Sequence, residues 1–323
     1  MTSARRTALA ARLGVAQTLA WGSSYYLPAI LAGPMARDLG VSTATVFGAF
    51  SAALVVSAAL GPWAGRRIDE GGGRATLAGS NLVFAAGLCL MAAAQGPVVL
   101  FAAWALIGVG MAAGLYEAAF ATLTGVFGRD ARGPITGVTL IAGFASTVAW
   151  PLSAAMEAAA DWRMACLGWA ALHLFVALPL NLATPPRAAV APPAPPAPAA
   201  APPPGPVSRE MLLLAFVFSA TWIISTAMAA HLPRLLEAAG ASAVAAVAAA
   251  ALVGPAQVGA RLVEFGLLRR FHPLHSARLA ALCHPVAAVG LAAIGGPAAA
   301  AFAIIHGAGN GVLTIAKGTL PLA

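Results

Sequence analysis

Long apolar stretches, separated by short polar or glycine- and proline-containing segments, limit what this chain can fold into. Each stretch has about twenty residues, the length of an α-helix that crosses the hydrocarbon core of a bilayer. Hydrophobic residues make up 60% of the sequence and charged residues only 9%, whereas about a quarter of the residues of a soluble domain are charged. We therefore predict an all-α, polytopic membrane protein with one helix for each stretch.

A proline-rich segment divides the predicted membrane helices into two groups. Alternating proline and alanine over residues 184–208 favour an extended, solvated conformation over a helix. We predict a six-helix N-terminal bundle at residues 1–183, a linker at 184–208 and a four-helix C-terminal bundle at 209–323. The ten predicted helices cover residues 10–32, 44–65, 75–95, 98–126, 134–158, 163–183, 210–232, 242–265, 276–295 and 297–320.

The arginines predict how the chain is oriented. When the helices are threaded back and forth, most arginines fall on the side of the N-terminus, and only Arg37, Arg163 and Arg234 fall on the other side. Because basic residues accumulate on the cytoplasmic side, we predict a cytoplasmic N-terminus and linker, in a bacterial inner membrane. The formal charge of +8 does not indicate a nucleic-acid partner, since the basic residues are scattered between apolar stretches.

No sequence feature predicts a metal, a cofactor or an enzymatic activity. Cys89, Cys166 and Cys283 lie within apolar stretches, without the spacing of a disulfide framework or a zinc site. The predicted helices also lack a Ser/Lys or paired-Asp arrangement that could act as a catalytic site.

A polar segment at residues 61–74 connects the second and third predicted helices. Its glycines permit a tight turn, and Arg66, Arg67 and Arg74 surround Asp69. We expect a short loop, held at the charged membrane face by ion pairs and helix ends.

The spacing within this segment carries a family resemblance. The pattern Gly-x-x-x-Asp-x-x-Gly-x-Arg is formed by Gly65, Asp69, Gly72 and Arg74. It resembles the signature loop between helices 2 and 3 of the major facilitator superfamily, although Glu70 and Gly73 stand where that family usually has basic residues. The resemblance implies two bundles of helices that rock around a midplane site, with the last two of the usual twelve helices absent.

Short motifs repeat between the two halves at offsets close to two hundred residues. Four repeats in the same order indicate a duplicated unit of parallel orientation, which favours a transporter. The pairs are Leu27-Pro28 with Leu232-Pro233, Gly40-Val-Ser42 with Gly240-Ala-Ser242, Gly61-Pro62 with Gly254-Pro255, and Gly108-Val-Gly110 with Gly307-Ala-Gly309.

Glu117 is the one acidic residue well inside a predicted helix. The resemblance places it on helix 4, which lines the central cavity in the family. A carboxyl group buried there could take up and release a proton. The alternative is a structural hydrogen bond to a neighbouring helix.

The last predicted helix carries a polar stripe. His306, Asn310, Thr314 and Lys317 are spaced by three or four residues, so they share one helix face. Because polar groups facing lipid are costly, we expect this face to line the cavity. Lys317 by itself could instead extend to the cytoplasmic interface.

Arg261 and Tyr25 complete the candidate site. Arg261 resembles the helix-8 arginine that binds substrate in monocarboxylate-type facilitators, but it could instead pair with Glu264. Tyr25 belongs to a segment, residues 20–26, that resembles the first helix of bacterial monocarboxylate-like facilitators. Its aromatic ring could contact substrate, or it could be a membrane-interface anchor or core residue.

These residues predict the kind of solute. His306, Asn310, Lys317 and Arg261 outnumber the single acid Glu117, so the site should favour a small anion. We expect a monomeric secondary transporter of a small organic anion, working by alternating access with a proton as a candidate coupling ion. The alternatives are an efflux pump for a toxic compound such as arsenite or a drug, and a truncated or non-transporting relative.

Overall fold

The computed structural model describes residues 3–185, 209–266 and 273–319, which contain helices and no strand. By length and composition, eight stretches of these helices could cross a membrane. This confirms the predicted all-α membrane fold. The predicted linker, residues 184–208, lies almost entirely outside the described residues.

Every predicted apolar stretch is helical, but five of them are interrupted in the described residues. The first half contains α1 Ser3–Gly22, α2 Leu27–Asp38, α3 Thr43–Gly71, α4 Gly73–Ala92, α5 Pro97–Gly114, α6 Tyr116–Phe127, α7 Arg132–Ala142, α8 Ala145–Ala159, α9 Trp162–Leu172 and α10 Leu178–Leu182. A 3₁₀ turn, Gly128–Ala131, follows α6, and a π-helical segment, His173–Ala177, joins α9 to α10. The second half contains α11 Arg209–Ala238, α12 Ala243–Ala251, α13 Val253–Gly266, α14 Pro273–Ile294 and α15 Ala299–Thr319, with a 3₁₀ turn at Gly296–Ala298.

The connection between α3 and α4 is tighter than predicted. Helix α3 continues to Gly71, and only Gly72 leaves the helical conformation, with φ of +77°. Because the left-handed region is strained for other residues, glycine suits this position. The expected ion pairs are absent: within the described residues, Asp69 forms no salt bridge, and Arg67 instead lies over the Trp63 ring.

Equivalent turns in the two halves support the internal repeat. Gly40 and Gly240 both have positive φ, at +62° and +99°. Each is followed by a serine that starts the next helix, and the Ser42 and Ser242 hydroxyls both accept a hydrogen bond from the backbone N–H three residues later. Serine at this position satisfies an N–H that has no partner within the helix.

The repeated glycines also hold equivalent packing positions. A Cβ on Gly108 would lie 2.5 Å from the carbonyl oxygen of Ala53, and one on Gly307 would lie 2.7 Å from that of Val253. Helix α5 therefore packs backbone-close on α3 in the first half, as α15 does on α13 in the second. Small residues permit such close packing of membrane helices.

The two halves meet along α2 with α11 and along α8 with α12. Trp150 and Ala29 of the first half share an apolar cluster with Leu232 and Leu236 of the second.

A hydrogen bond also joins α8 to α12. The Thr147 hydroxyl donates to the backbone carbonyl of Ala251 at 2.7 Å. These contacts leave a cavity beside α3.

Candidate functional site

A cavity of about 820 Å³ lies between the two halves. Its walls are the break between α1 and α2, the length of α3 from Phe47 to Gly65, the break between α5 and α6, and the middle of α11 from Trp222 to His231. Tyr25 and Glu117, both predicted from the sequence, lie on this wall. A concave space of this size between helices is the usual form of a small-molecule site.

Helix breaks shape the cavity wall. Residues 23–26 separate α1 from α2, and Leu115, in an extended conformation, separates α5 from α6. A helix break interrupts the regular backbone hydrogen bonds. At the break between α5 and α6, the Gly114 carbonyl accepts a hydrogen bond from the buried Gln17 side chain of α1 at 2.6 Å. A side chain beside one break thus satisfies the backbone of the other. Irregular backbone at membrane depth is typical of transporter sites.

Glu117 lies in the first turn of α6, directly after the break. Its side chain is exposed to the cavity instead of buried in protein. It forms no salt bridge within the described residues, so no ion pair ties it to a neighbouring helix there. The carboxylate is therefore accessible to a solute or to water in the cavity.

Aromatic rings share the cavity wall with this carboxylate. The Trp21 ring lies between those of Tyr25 and Tyr116, with centroid distances of 4.6 and 5.0 Å. On the opposite wall, the His231 ring contacts Phe47 at 4.0 Å. Faces of aromatic rings attract cations.

Sequence reasoning missed part of this wall. His231, Phe47 and Trp222 line the cavity but carry no motif of their own. For His231, the available signal was its position directly before the repeated Leu-Pro pair of the second half.

Arg261 has partners that were not predicted. It is 6% exposed, and its Nη1 donates to the Thr139 carbonyl of α7 at 2.6 Å. Its guanidinium is also hydrogen-bonded to Tyr116 and to Gln257. Within the described residues, no salt bridge joins Arg261 to Glu264; the guanidinium instead reaches across to the first half. It lies behind Tyr116, outside the cavity lining.

The polar face of α15 was predicted to line the cavity, but none of its described residues does so. His306 is buried, and its Nδ1 lies 3.0 Å from Nδ1 of His284 in α14. The Asn310 side chain accepts a hydrogen bond from the Ser225 hydroxyl of α11 at 2.6 Å. The polar groups find partners on neighbouring helices and so need no cavity. The side chain of Lys317 lies outside the described residues.

The charge of the cavity therefore differs from the prediction. Among the lining residues that the structure describes, Glu117 is the charged group, and none is Arg or Lys. Of the signature segment, Gly65 lines the cavity, whereas Arg66 and Asp69 are exposed at the end of α3 and Arg74 is exposed at the start of α4. The predicted excess of positive charge is wrong for the described lining.

Within the described residues, no group of three or more His, Cys, Asp or Glu side chains could hold a metal ion. Of the cysteines, Cys89 is exposed and Cys166 is buried, while Cys283 is intermediate. None of them lines the cavity.

Comparisons with known proteins agree with this architecture. The family profile described as Major Facilitator Superfamily matches residues 13–320, and no curated protein gives a significant match. Similar solved structures include a mutant of the nucleoside transporter NupG, at a TM-score of 0.68 and 14% identity over 97% of this chain and 82% of that one. A bacterial homologue of the human lysosomal transporter Spinster, inward-facing and occupied, gives 0.65 and 16%, covering 97% and 74%. A D-xylose–proton symporter gives 0.63 and 13%, covering 96% and 80%. At these identities the likeness shows the fold.

Proposed function

Because this chain belongs to the major facilitator superfamily, we propose that it is a secondary transporter whose cavity binds a lipophilic organic cation beside Glu117. The observation that carries the proposal is the placement of Glu117. It is the charged group among the described lining residues, at a helix break and among aromatic rings. A carboxylate supplies Coulomb attraction for a cation, and the rings of Trp21 and Tyr25 add cation–π attraction.

The same carboxylate can couple transport to protons. A proton and a cationic solute compete for one carboxylate, so binding of either one displaces the other. Their exchange is coupled if the two halves rock only when the carboxylate is occupied. Rocking of the halves about the α2–α11 and α8–α12 contacts would then expose Glu117 to either side in turn. We propose that the N-terminus is cytoplasmic, in a bacterial inner membrane, and that the chain acts as a monomer.

The organic anion predicted from the sequence is the second candidate. It is favoured by Arg261, which is buried beside the cavity and whose Nε has no hydrogen-bond partner among the described residues. A buried guanidinium without a carboxylate partner is costly, and a carboxylate solute would offset that cost if Tyr116 moved aside. The position of the thiols outside the cavity gives arsenite no comparable support.

A ligand-shift thermal melt of the purified protein tests the proposal. Tetraphenylphosphonium, small carboxylates and arsenite serve as probes, with wild type compared against Glu117→Gln. The matched control is Glu157→Gln, since Glu157 does not line the cavity.

The expected size of the effect follows from Coulomb's law. Two unit charges about 4 Å apart attract by about 1 kcal/mol in water and about 4 kcal/mol at an effective dielectric constant of about 20. Glu117→Gln should therefore weaken tetraphenylphosphonium binding between about fivefold and several hundredfold. Equal binding by wild type and Glu117→Gln, or stabilisation by carboxylates alone, would contradict the cation proposal.

A further inference from the structure

A chain of buried polar groups lies behind the break between α1 and α2. Ser23 Oγ is 2.7 Å from Nε2 of His173, and Nδ1 of His173 is 3.0 Å from Oδ1 of Asn81. The Asn81 amide in turn donates to the Leu77 carbonyl at 2.7 Å. These bonds connect three of the predicted membrane helices: the first at its break, the third through α4, and the sixth where α9 continues into the π-helical segment.

Asn81 determines the hydrogen-bond directions in this chain of polar groups. Because Oδ1 of Asn81 can only accept, Nδ1 of His173 carries the hydrogen and donates it. Nε2 is then the acceptor, and Ser23 donates its hydroxyl hydrogen to it. The order Ser, His, Asn resembles that of a hydrolase triad. Ser23 is 0% exposed, however, so its hydroxyl cannot reach a substrate.

Neighbouring aromatic rings restrict the position of the His173 imidazole and of the end of α1. The His173 ring stacks on Phe84, with centroids 4.7 Å apart. One turn earlier on α9, Trp169 lies against Gly22, where a Cβ would be 2.7 Å from the indole ring. The end of α1 is thus packed against Trp169 and hydrogen-bonded to His173. Polar side chains at this depth are costly unless fully paired, and a π-helical turn often marks a functional site.

The break between α1 and α2, which these polar groups contact through Ser23, also contains a residue of the cavity wall. Tyr25 follows Ser23 by two residues and lies on the cavity wall beside Trp21. Residues 23–26 lie between the two helices, where the Ser23 N–H bonds to the Leu19 carbonyl and the Ser24 and Tyr26 N–H groups share the Trp21 carbonyl. Side-chain contacts add to these few backbone bonds in fixing the conformation of the segment.

We propose that His173 is a positioning residue, which holds Tyr25 on the cavity wall through its hydrogen bond to Ser23. The inference rests on the proposed function only in that the cavity is the solute site. Its test therefore uses a readout that needs no solute.

The experiment measures how fast a cysteine at the break reacts. Tyr25→Cys is introduced into full-length protein whose three native cysteines are replaced by serine, and a maleimide labels it in detergent. Ser23→Ala, His173→Asn and His173→Gln are then added singly. His173→Asn keeps a donor toward Asn81 but cannot reach Ser23, whereas His173→Gln keeps an acceptor toward Ser23.

Losing one buried hydrogen bond of about 1 kcal/mol should raise the population of displaced segments about fivefold. We expect Ser23→Ala and His173→Asn to raise the labelling rate by that factor, and His173→Gln to restore most of the slow rate. The matched control is Ser24→Ala: Ser24 is equally buried in the same segment, but its hydroxyl donates to the Ala20 carbonyl of α1, four residues earlier, at 2.6 Å and not to His173.

Two results would overturn the inference. One is a labelling rate in Ser23→Ala within about twofold of the parent. The other is an equal rise in Ser24→Ala. Should His173→Asn fail to fold, Ser23→Ala against Ser24→Ala decides. Because no solute is added, failure here leaves the cation proposal untouched, and failure of the ligand-shift melt leaves the labelling result standing.

Discussion

Replacing Gly108 by alanine measures how closely α5 packs on α3. The added Cβ would lie 2.5 Å from the Ala53 carbonyl oxygen and 3.0 Å from its Cα, whereas ordinary contacts begin at 3.4 Å. The helices would have to separate by about 0.9 Å, the difference between 3.4 and 2.5 Å. The obstacle is backbone, so no rotamer change can relieve it. Overpacking costs about 1–3 kcal/mol, and the higher helix propensity of alanine offsets up to about 1 kcal/mol.

With the full offset, Gly108→Ala should therefore lose up to about 2 kcal/mol of stability. The assay is thermal unfolding in detergent at one fixed scan rate, since unfolding of such proteins is often irreversible. The matched control is Gly79→Ala in α4, where a Cβ meets nothing within 4 Å, so this variant should melt at or above wild type. Gly307→Ala should resemble Gly108→Ala. If Gly108→Ala melts as high as Gly79→Ala, the close α3–α5 packing is refuted.

Two further predictions concern the contact between the halves and the orientation. Arg261→Lys keeps the charge but cannot replace the branched donor that reaches both Thr139 and Gln257, so its melting temperature should fall. A melt equal to wild type would contradict the bridging role, and loss of a carboxylate-induced shift would favour the anion candidate. Ala200→Cys in a cysteine-free background should resist an impermeant thiol reagent in intact cells and react in inside-out vesicles; labelling in intact cells would overturn the proposed orientation.

Hydropathy predicted where the helices are, because burial in lipid requires long apolar stretches. It did not predict where they break. Leu115 is as apolar as its neighbours, and its extended conformation depends on tertiary contacts such as that from Gln17 to Gly114. Residues 23–26 contain two serines and two tyrosines, which only weakly indicate a helix break. The structure adds the partner of Ser23, His173, which lies far away in the sequence.

The candidate site was predictable to a similar degree. Glu117 was found because a lone acid in an apolar stretch is expensive and so must have a reason to be there. His306 and Asn310 were assigned wrongly because helical spacing shows which residues share a face, not which neighbour that face meets. His306 is within hydrogen-bond distance of His284, and Asn310 accepts a hydrogen bond from Ser225. The partners of Arg261 were not predicted for a related reason, since a long side chain can cross to another helix.

The two breaks depend on one another, which explains why the wall of the cavity is built mainly by the first half. An interrupted membrane helix exposes backbone groups that lipid cannot satisfy. Here Gln17, one turn before Trp21 on α1, supplies the donor for the break beside Glu117, and the Trp21 ring lies between Tyr25 and Tyr116. Removing the break beside Glu117 would deprive the buried Gln17 amide of the carbonyl to which it donates. The carboxylate and the aromatic rings therefore form one unit, against which α11 of the second half supplies the facing wall.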